Sequence, residues 1–321
     1  MKKNICFLCI LIVIALLLPG CSAGKTVMKI GKLNVSYDML RYFTKNYMNG
    51  YDGVSEESFR TDDGLRKKLD DNVLSSLREL AAYVTLADKY GVKLDRDDKS
   101  TVDGKIADMK AEYSDTKAYK KGLEEAYATE AVIRRIYEIQ LLCDKLYDRL
   151  TDGSDDAFRS DNETIEKDIA DGNWFSAEYI LITYSSEDKE SRREYAEKML
   201  EGMDKNKSLR DLYDKNSTVY GLGISYARID AFTYTQQKEY FEKAVCALEV
   251  GQTSGVTDTV DGFLIVRRLE LSQAYIEDKF ISVFCVGYLE REFFNLVEKT
   301  AGELEISCSK GYENINFCDI E

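Results

Sequence analysis

The sequence contains no histidine, so the side chains that could do chemistry are its eight cysteines, its aspartate clusters and its 22 tyrosines. Without imidazole there is no Ser-His-Asp or Cys-His nucleophile, no H-E-x-x-H zinc site and no group of ordinary pKa near neutral pH. Asp95, Asp97 and Asp98 form one acidic cluster, and Asp152, Asp155 and Asp156 another. The first reads as a solvated helix start. The second reads as a flexible hinge, with weak calcium binding as its open alternative. No metal site and no cofactor are expected. Cys143, Cys246 and Cys285 fall within apolar helical patterns, where a buried free thiol is the expected state. Cys308 and Cys318 either pair or stay free, and the scatter of cysteines beyond Cys21 is not a disulfide framework.

Charge and composition narrow the class. With 58 Asp+Glu against 44 Lys+Arg the formal charge is -14, which argues against nucleic acid and against electrostatic docking on anionic lipid. A chain of 321 residues, 44% apolar, is long and apolar enough for about two domains. Lys2 and Lys3 precede an apolar run at residues 5–18. A membrane-spanning helix needs roughly 20 apolar residues, so this shorter run reads as the core of a signal peptide. It ends in Leu18-Pro19-Gly20-Cys21, which resembles a bacterial lipoprotein box, although proline is less usual at that position. The resemblance implies a signal peptide over 1–20, lipidation at Cys21 and a tether over 21–26. That lipid would hold the body on the extracytoplasmic face of the cell membrane. An ordinary secretory signal is the alternative.

Residues 27–35 alternate as one short strand, and a helix follows from Ser36. Leu65, Leu69, Val73, Leu77, Leu80 and Val84 recur at helical spacing over 65–90, with Gly91 placed to end the helix. Asp95 with Asp98 starts another helix, reaching Glu112. Val132, Ile136, Ile139, Cys143, Leu146 and Leu150 stripe a long one. Residues 151–161 are polar and acidic, the best boundary in the chain. Beyond it, β-rich runs at 179–184 and 262–271 flank a charged helix over 190–202, which indicates a small α+β domain. Helix returns over 275–301, and short β-like pieces at 303–307 and 314–317 close the chain.

Several strings from 173 to 271 together resemble the parvulin-type (PpiC) peptidyl-prolyl isomerase domain. Ala177-Glu178-Tyr179-Ile180-Leu181-Ile182 matches its opening strand, A-x-H-I-L-V. Phe241-Glu242-Lys243-Ala244 and the following Leu248, Gly251 and Ser254 match its F-E-x-A-x-x-x-L-x-x-G-x-x-S helix and turn. Thr259 to Arg267 matches its T-x-x-G-Y-H-I-I-K closing strand. The mature chain as a whole resembles extracytoplasmic foldases of the PrsA/SurA kind. That resemblance implies an α+β fold in which a helical, SurA-N-like chaperone domain is built from 27–150 plus 272–321. A hinge at 151–171 leads to a parvulin-like domain at 172–271, inserted so that the helix from Tyr275 packs back on the early helices.

The departures from the family bear on chemistry. Its two site histidines align with Tyr179 and Leu264, its pocket methionine with Gln237, and its aromatic pair with Phe232 and Phe241. Its G-G-D-L-G-x-F stretch reads Tyr226 to Phe232 without the glycines, and Asp214 and Asn216 are candidates for its acidic or thiol position. Tyr179 is therefore the one candidate catalytic group, and Phe232, Phe241, Gln237 and Leu264 are candidate substrate-binding residues. The resemblance implies a membrane-anchored chaperone or foldase that binds unfolded, newly exported polypeptides through a degraded site. The alternatives are an active prolyl isomerase with a rebuilt site and a non-catalytic envelope scaffold.

Overall fold

The computed structural model describes residues 24–51, 53–153, 158–203, 208–217, 223–313 and 315–320. Cys21, with the segment expected as a signal peptide before it, and Asp155 and Asp156 of the segment expected as a hinge lie outside the described residues. The chain divides into two compact units: one takes it up to Arg149 and again from Leu296, the other is Leu150–Asn295.

The first unit opens with β1 (Thr26–Ile30) and β2 (Leu33–Ser36), paired antiparallel. A two-residue turn joins them, and its Gly31 has φ +51; a Cβ there would meet Leu304 and Thr85 at 2.7 Å. The single strand expected over 27–35 is thus a hairpin, because so short a turn barely interrupts the apolar alternation. Ser36 caps α1 (Tyr37–Asn49) by accepting from the Met39 amide. Next come α2 (Glu56–Thr61) and α3 (Asp63–Lys89), whose stripe of Leu69, Val73, Leu77 and Leu86 is buried. Asp95 caps α4 (Arg96–Ala111) in a reciprocal box with Asp98, and Lys145 donates to both carboxylates. The helices α5 (Thr116–Glu125) and α6 (Glu130–Thr151) follow.

The second unit begins with α7 (Asn162–Ala170), a helix inside the segment expected as a hinge. Its Ile165 is fully buried, and one apolar position per turn over nine residues is too short a period to stand out in a polar stretch. Next are β3 (Trp174–Ile182), α8 (Lys189–Glu201), α9 (Leu209–Asn216), β4 (Ile224–Thr233), α10 (Glu239–Cys246), β5 (Thr257–Thr259) and β6 (Gly262–Leu269). The strands form one antiparallel sheet in the order β4-β3-β6-β5. Strand alternation sorts the core into two layers. Phe175, Ala177 and Tyr179 of β3 with Leu264 and Val266 of β6 face Phe241, Val245 and Leu248. Ile180 and Ile182 with Phe263 and Ile265 face Ala196, Met199, Leu209 and Leu212. β4 was not visible in the sequence: it is an edge strand, and its exposed Arg228–Asp230 ion pair breaks the apolar alternation.

The unit ends in α11 (Gln273–Lys279), a π-helical turn (Phe280–Cys285) and the first part of α12 (Val286–Glu303). Tyr275, Ile276, Phe280, Val283 and Phe284 pack with Ile165, Ile169 and Trp174. The helix expected to pack on the early helices therefore finds its partners in α7 and β3 up to Phe284, because α7 supplies the apolar surface that a hinge would not. Gly287 lets α12 approach the sheet, since a Cβ there would sit 2.7 Å from Trp174.

A buried ion pair fastens these pieces. Arg291 of α12 donates to Asp168 of α7 and to the Thr233 hydroxyl of β4, each at 2.6 Å. Asp168 also accepts from Trp174 Nε1 at 2.7 Å and Asn173 Nδ2 at 2.8 Å. Both side chains are nearly sealed from water, 6% and 8% exposed. Burial works against the Arg291 charge, but the Asp168 carboxylate outweighs it and holds the guanidinium more firmly protonated.

After α12 the chain returns to the first unit. Arg78 of α3 donates to the carbonyls of Ala301 and Leu304, in the last turn of α12 and just beyond it. β7 (Ile306–Cys308) pairs antiparallel with β1. The strand expected at 314–317 is absent from the described residues there; Phe317–Asp319 is a 3-10 turn that buries Phe317 and Cys318. Cys308 and Cys318 are both free, and the Cys318 thiol donates to the Phe59 carbonyl. Cys143, Cys246 and Cys285 are free and half-buried.

Replacing Arg291 with Met would strand the Asp168 charge in the interior, which costs about 3–5 kcal/mol. Urea unfolding of Arg291→Met should show a loss of that size. A loss below about 1 kcal/mol would mean the pair does not hold the unit together.

Candidate functional site

On the Tyr179 face of the sheet lies a cavity of about 440 Å³. Tyr179 and Leu181 reach it from β3 and Leu264 from β6, two strands whose register sets Leu181 opposite Leu264. Tyr240 and Phe241 come from α10, Gln237 and Lys238 from the turn before it, and Asp261 from the tight turn between β5 and β6. Four of the five candidate site residues, Tyr179, Gln237, Phe241 and Leu264, therefore line one space. Phe232 does not line it. It is 1% exposed and supports the floor from behind, its ring 5.6 Å from Phe241 and 5.6 Å from Phe175.

The floor is apolar and aromatic. Tyr179 meets Phe241 edge to face at 5.2 Å, a favoured quadrupole geometry. The Tyr179 hydroxyl has no hydrogen-bond partner among the described residues. At the rim, Lys238 and the Tyr240 hydroxyl both donate to Asp261. Asp261 is held below the usual carboxylate range, first by Lys238 and then by Tyr240. Tyr240 is pushed up by burial and then by its bond to Asp261, so it stays a donor. This polar rim was missed in the sequence, where the turn before β6 read only as part of a closing strand. The one available signal was an acid two residues after Thr259.

Neither Asp214 nor Asn216, the candidates for an acidic or thiol position, lines the cavity. Asp214 pairs with Arg210 along α9. Asn216 bonds Leu212 and Tyr195, residues that belong to α9 and α8 on the opposite layer. On that layer Glu178, 3% exposed, accepts from the Leu209 amide at the start of α9 and from the Tyr226 hydroxyl. Burial, and then Glu178, push Tyr226 up to about 12. Leu264 brings an aliphatic group, and among the described residues no paired hydrogen-bonding network crosses the floor of the cavity. Such a space can take an apolar side chain or a proline ring and offer it one phenolic donor.

The turn into α10 is strained. Thr235, a β-branched residue, has φ +74. Gln236 is pinned at both ends of its carboxamide, accepting from the Thr233 amide at 3.0 Å and donating to Glu290 at 3.1 Å.

No family model matches the chain, and no curated protein matches it. Among solved structures it is similar to PrsA foldases and to SurA-like chaperones. Foldase PrsA of Streptococcus pneumoniae is 17% identical, over 80% of this chain and 91% of that one, with a TM-score of 0.35. PrsA of Bacillus subtilis is 18% identical over 74% and 86%, with a TM-score of 0.26. A SurA-like chaperone of Campylobacter jejuni is 13% identical over 89% and 100%, again at 0.26.

Proposed function

We propose that this protein is an extracytoplasmic chaperone or foldase that binds unfolded, newly exported polypeptides, tethered to the membrane by a lipid on Cys21. The observation that carries the reading is the cavity. Positions separated by up to 85 residues, matched to the parvulin site by sequence alone, converge on one open, aromatic-floored space. Within that reading the parvulin site is degraded. Prolyl rotation must cross about 18–20 kcal/mol, and lowering that barrier needs groups preorganised around the twisted amide. A phenol and an isobutyl group at Tyr179 and Leu264 supply one donor and no network. Holding an unfolded chain requires only apolar surface and access. No helix among the described residues is long and apolar enough to cross a membrane, so the tether rests on the N-terminal box.

A second reading, prolyl isomerase with a rebuilt site, is favoured by the unpartnered Tyr179 hydroxyl and by the Lys238–Asp261–Tyr240 group beside it. The two readings part in paired assays. The purified protein should suppress aggregation of an unfolded client and lose that capacity in Tyr179→Asp, which puts a charge into the cavity. It should accelerate isomerisation of short proline peptides little or not at all. Any residual rate should be flat between about pH 5.5 and 7.5, where no ordinary carboxylate or phenol titrates. Fast isomerisation that falls to background in Tyr179→Phe would establish the enzyme reading instead.

The tether has its own check. Metabolic labelling with a fatty acid should mark the native chain and leave Cys21→Ala unmarked; equal labelling of both would remove the anchor from the account.

A further inference from the structure

A second cavity, about 540 Å³, lies beside the first, and Gln237 lines both. Its apolar wall comes from Val283, Val286 and Phe294, and its other walls include Thr235, Gln236 and Glu290. Val286 and Phe294 are 41% and 42% exposed, large apolar side chains left open to water.

Gln237 itself is unlike its neighbour. The Gln236 carboxamide is spent on Thr233 and Glu290, whereas that of Gln237 has no partner among the described residues. Its backbone amide is fixed, donating to Glu242 at 2.9 Å. The residue is thus held at the junction of two cavities by a strained turn, with a free donor and a free acceptor. A carboxamide offers the same donor and acceptor pair as a peptide unit, so it matches the main chain of an extended segment and not a particular side chain. Backbone strain kept in a turn needs surroundings that impose it, and here those are the two Gln236 bonds.

Building on the polypeptide-binding reading, we propose that the site is bipartite. An extended segment seats one apolar side chain or proline ring between Phe241 and Leu264. It passes its main chain over the Gln237 carboxamide and lays a second apolar side chain against Val286 and Phe294. The substrate class is therefore an unfolded chain with two apolar residues at a fixed separation. A lone apolar residue would engage only half of the site.

Fluorescence anisotropy with the purified protein tests this. The probes are fluorescein-labelled Ser/Gly peptides carrying one Phe-Pro unit, alone or with a leucine roughly two to six residues away on either side; an extended chain spans about 3.3–3.6 Å per residue. One spacing should bind on the order of tenfold tighter than the single-anchor peptide, the effect of half-burying a leucine. The double variant Val286→Ser, Phe294→Ser should cancel that gain and leave single-anchor affinity unchanged. Gln237→Met keeps the length and apolar stem but removes the carboxamide, and it should weaken both peptides several-fold. The inference is overturned if no spacing gains, if the gain survives the double variant, or if Gln237→Met binds like the native protein. Failure of the single-anchor peptide to bind at all would instead overturn the polypeptide-binding reading, and the bipartite site with it.

Discussion

The Arg291–Asp168 pair is the constraint on which the second unit depends. A guanidinium and a carboxylate this deeply buried are tolerable only when both are matched, and here the matching contacts reach across α7, β3, β4 and α12. Asp168 ties α7 to Trp174 at the head of β3. Arg291 ties α12 to Thr233 at the tail of β4. The Thr233 amide in turn holds Gln236, and Gln236 holds Glu290 one residue before Arg291. The loop of bonds closes on the turn that presents Gln237 and leads into Tyr240 and Phe241. The cavity is therefore shaped from two sides. The sheet sets Tyr179, Leu181 and Leu264 by strand alternation, and the polar network sets the turn that faces them.

Much of the first unit could be read in the sequence, because its signals are local. The α3 stripe, the Gly91 stop and the Asp95–Asp98 box act within one or two turns of helix. What escaped depends on distant partners. Asp168 and Arg291 lie 123 residues apart, and neither looks unusual in its own segment. The segment holding Asp168 reads as a hinge, which leaves the apolar stripe from Tyr275 without a partner nearby in the sequence; up to Phe284 that partner is Ile165 and Ile169 of α7 with Trp174 of β3, and only from Leu296 does the helix belong with the early ones. β4 escaped for a different reason: an edge strand is relieved of a second neighbour and can carry charges such as Arg228 and Asp230. That Tyr179, Phe241 and Leu264 face one cavity could be read, since their facing follows from strand period and helix phase. The rim of that cavity could not, because the Asp261 contacts join a turn to a helix start.

The same geometry separates binding from catalysis. Burying an apolar side chain against Phe241 and Leu264 uses surface already shaped by the core behind it, with Phe232 as its support. Stabilising a twisted prolyl amide would require donors and acceptors fixed around it. Of the polar groups at hand, Lys238, Tyr240 and Asp261 are paired with one another at the rim, and the Tyr179 hydroxyl and the Gln237 carboxamide are left as single groups with no network between them. On this arrangement rests the proposal that the site binds a chain and does not catalyse its isomerisation.

The most direct test of that claim is where a bound chain touches the protein. In protein carrying 13C-labelled leucine methyls, an unfolded client peptide should shift the Leu264 and Leu181 signals saturably. The Leu209 and Leu212 signals, on the opposite face of the sheet, should stay unchanged. Binding that leaves Leu264 and Leu181 unmoved while perturbing other methyls would contradict the assignment of the cavity as the polypeptide site.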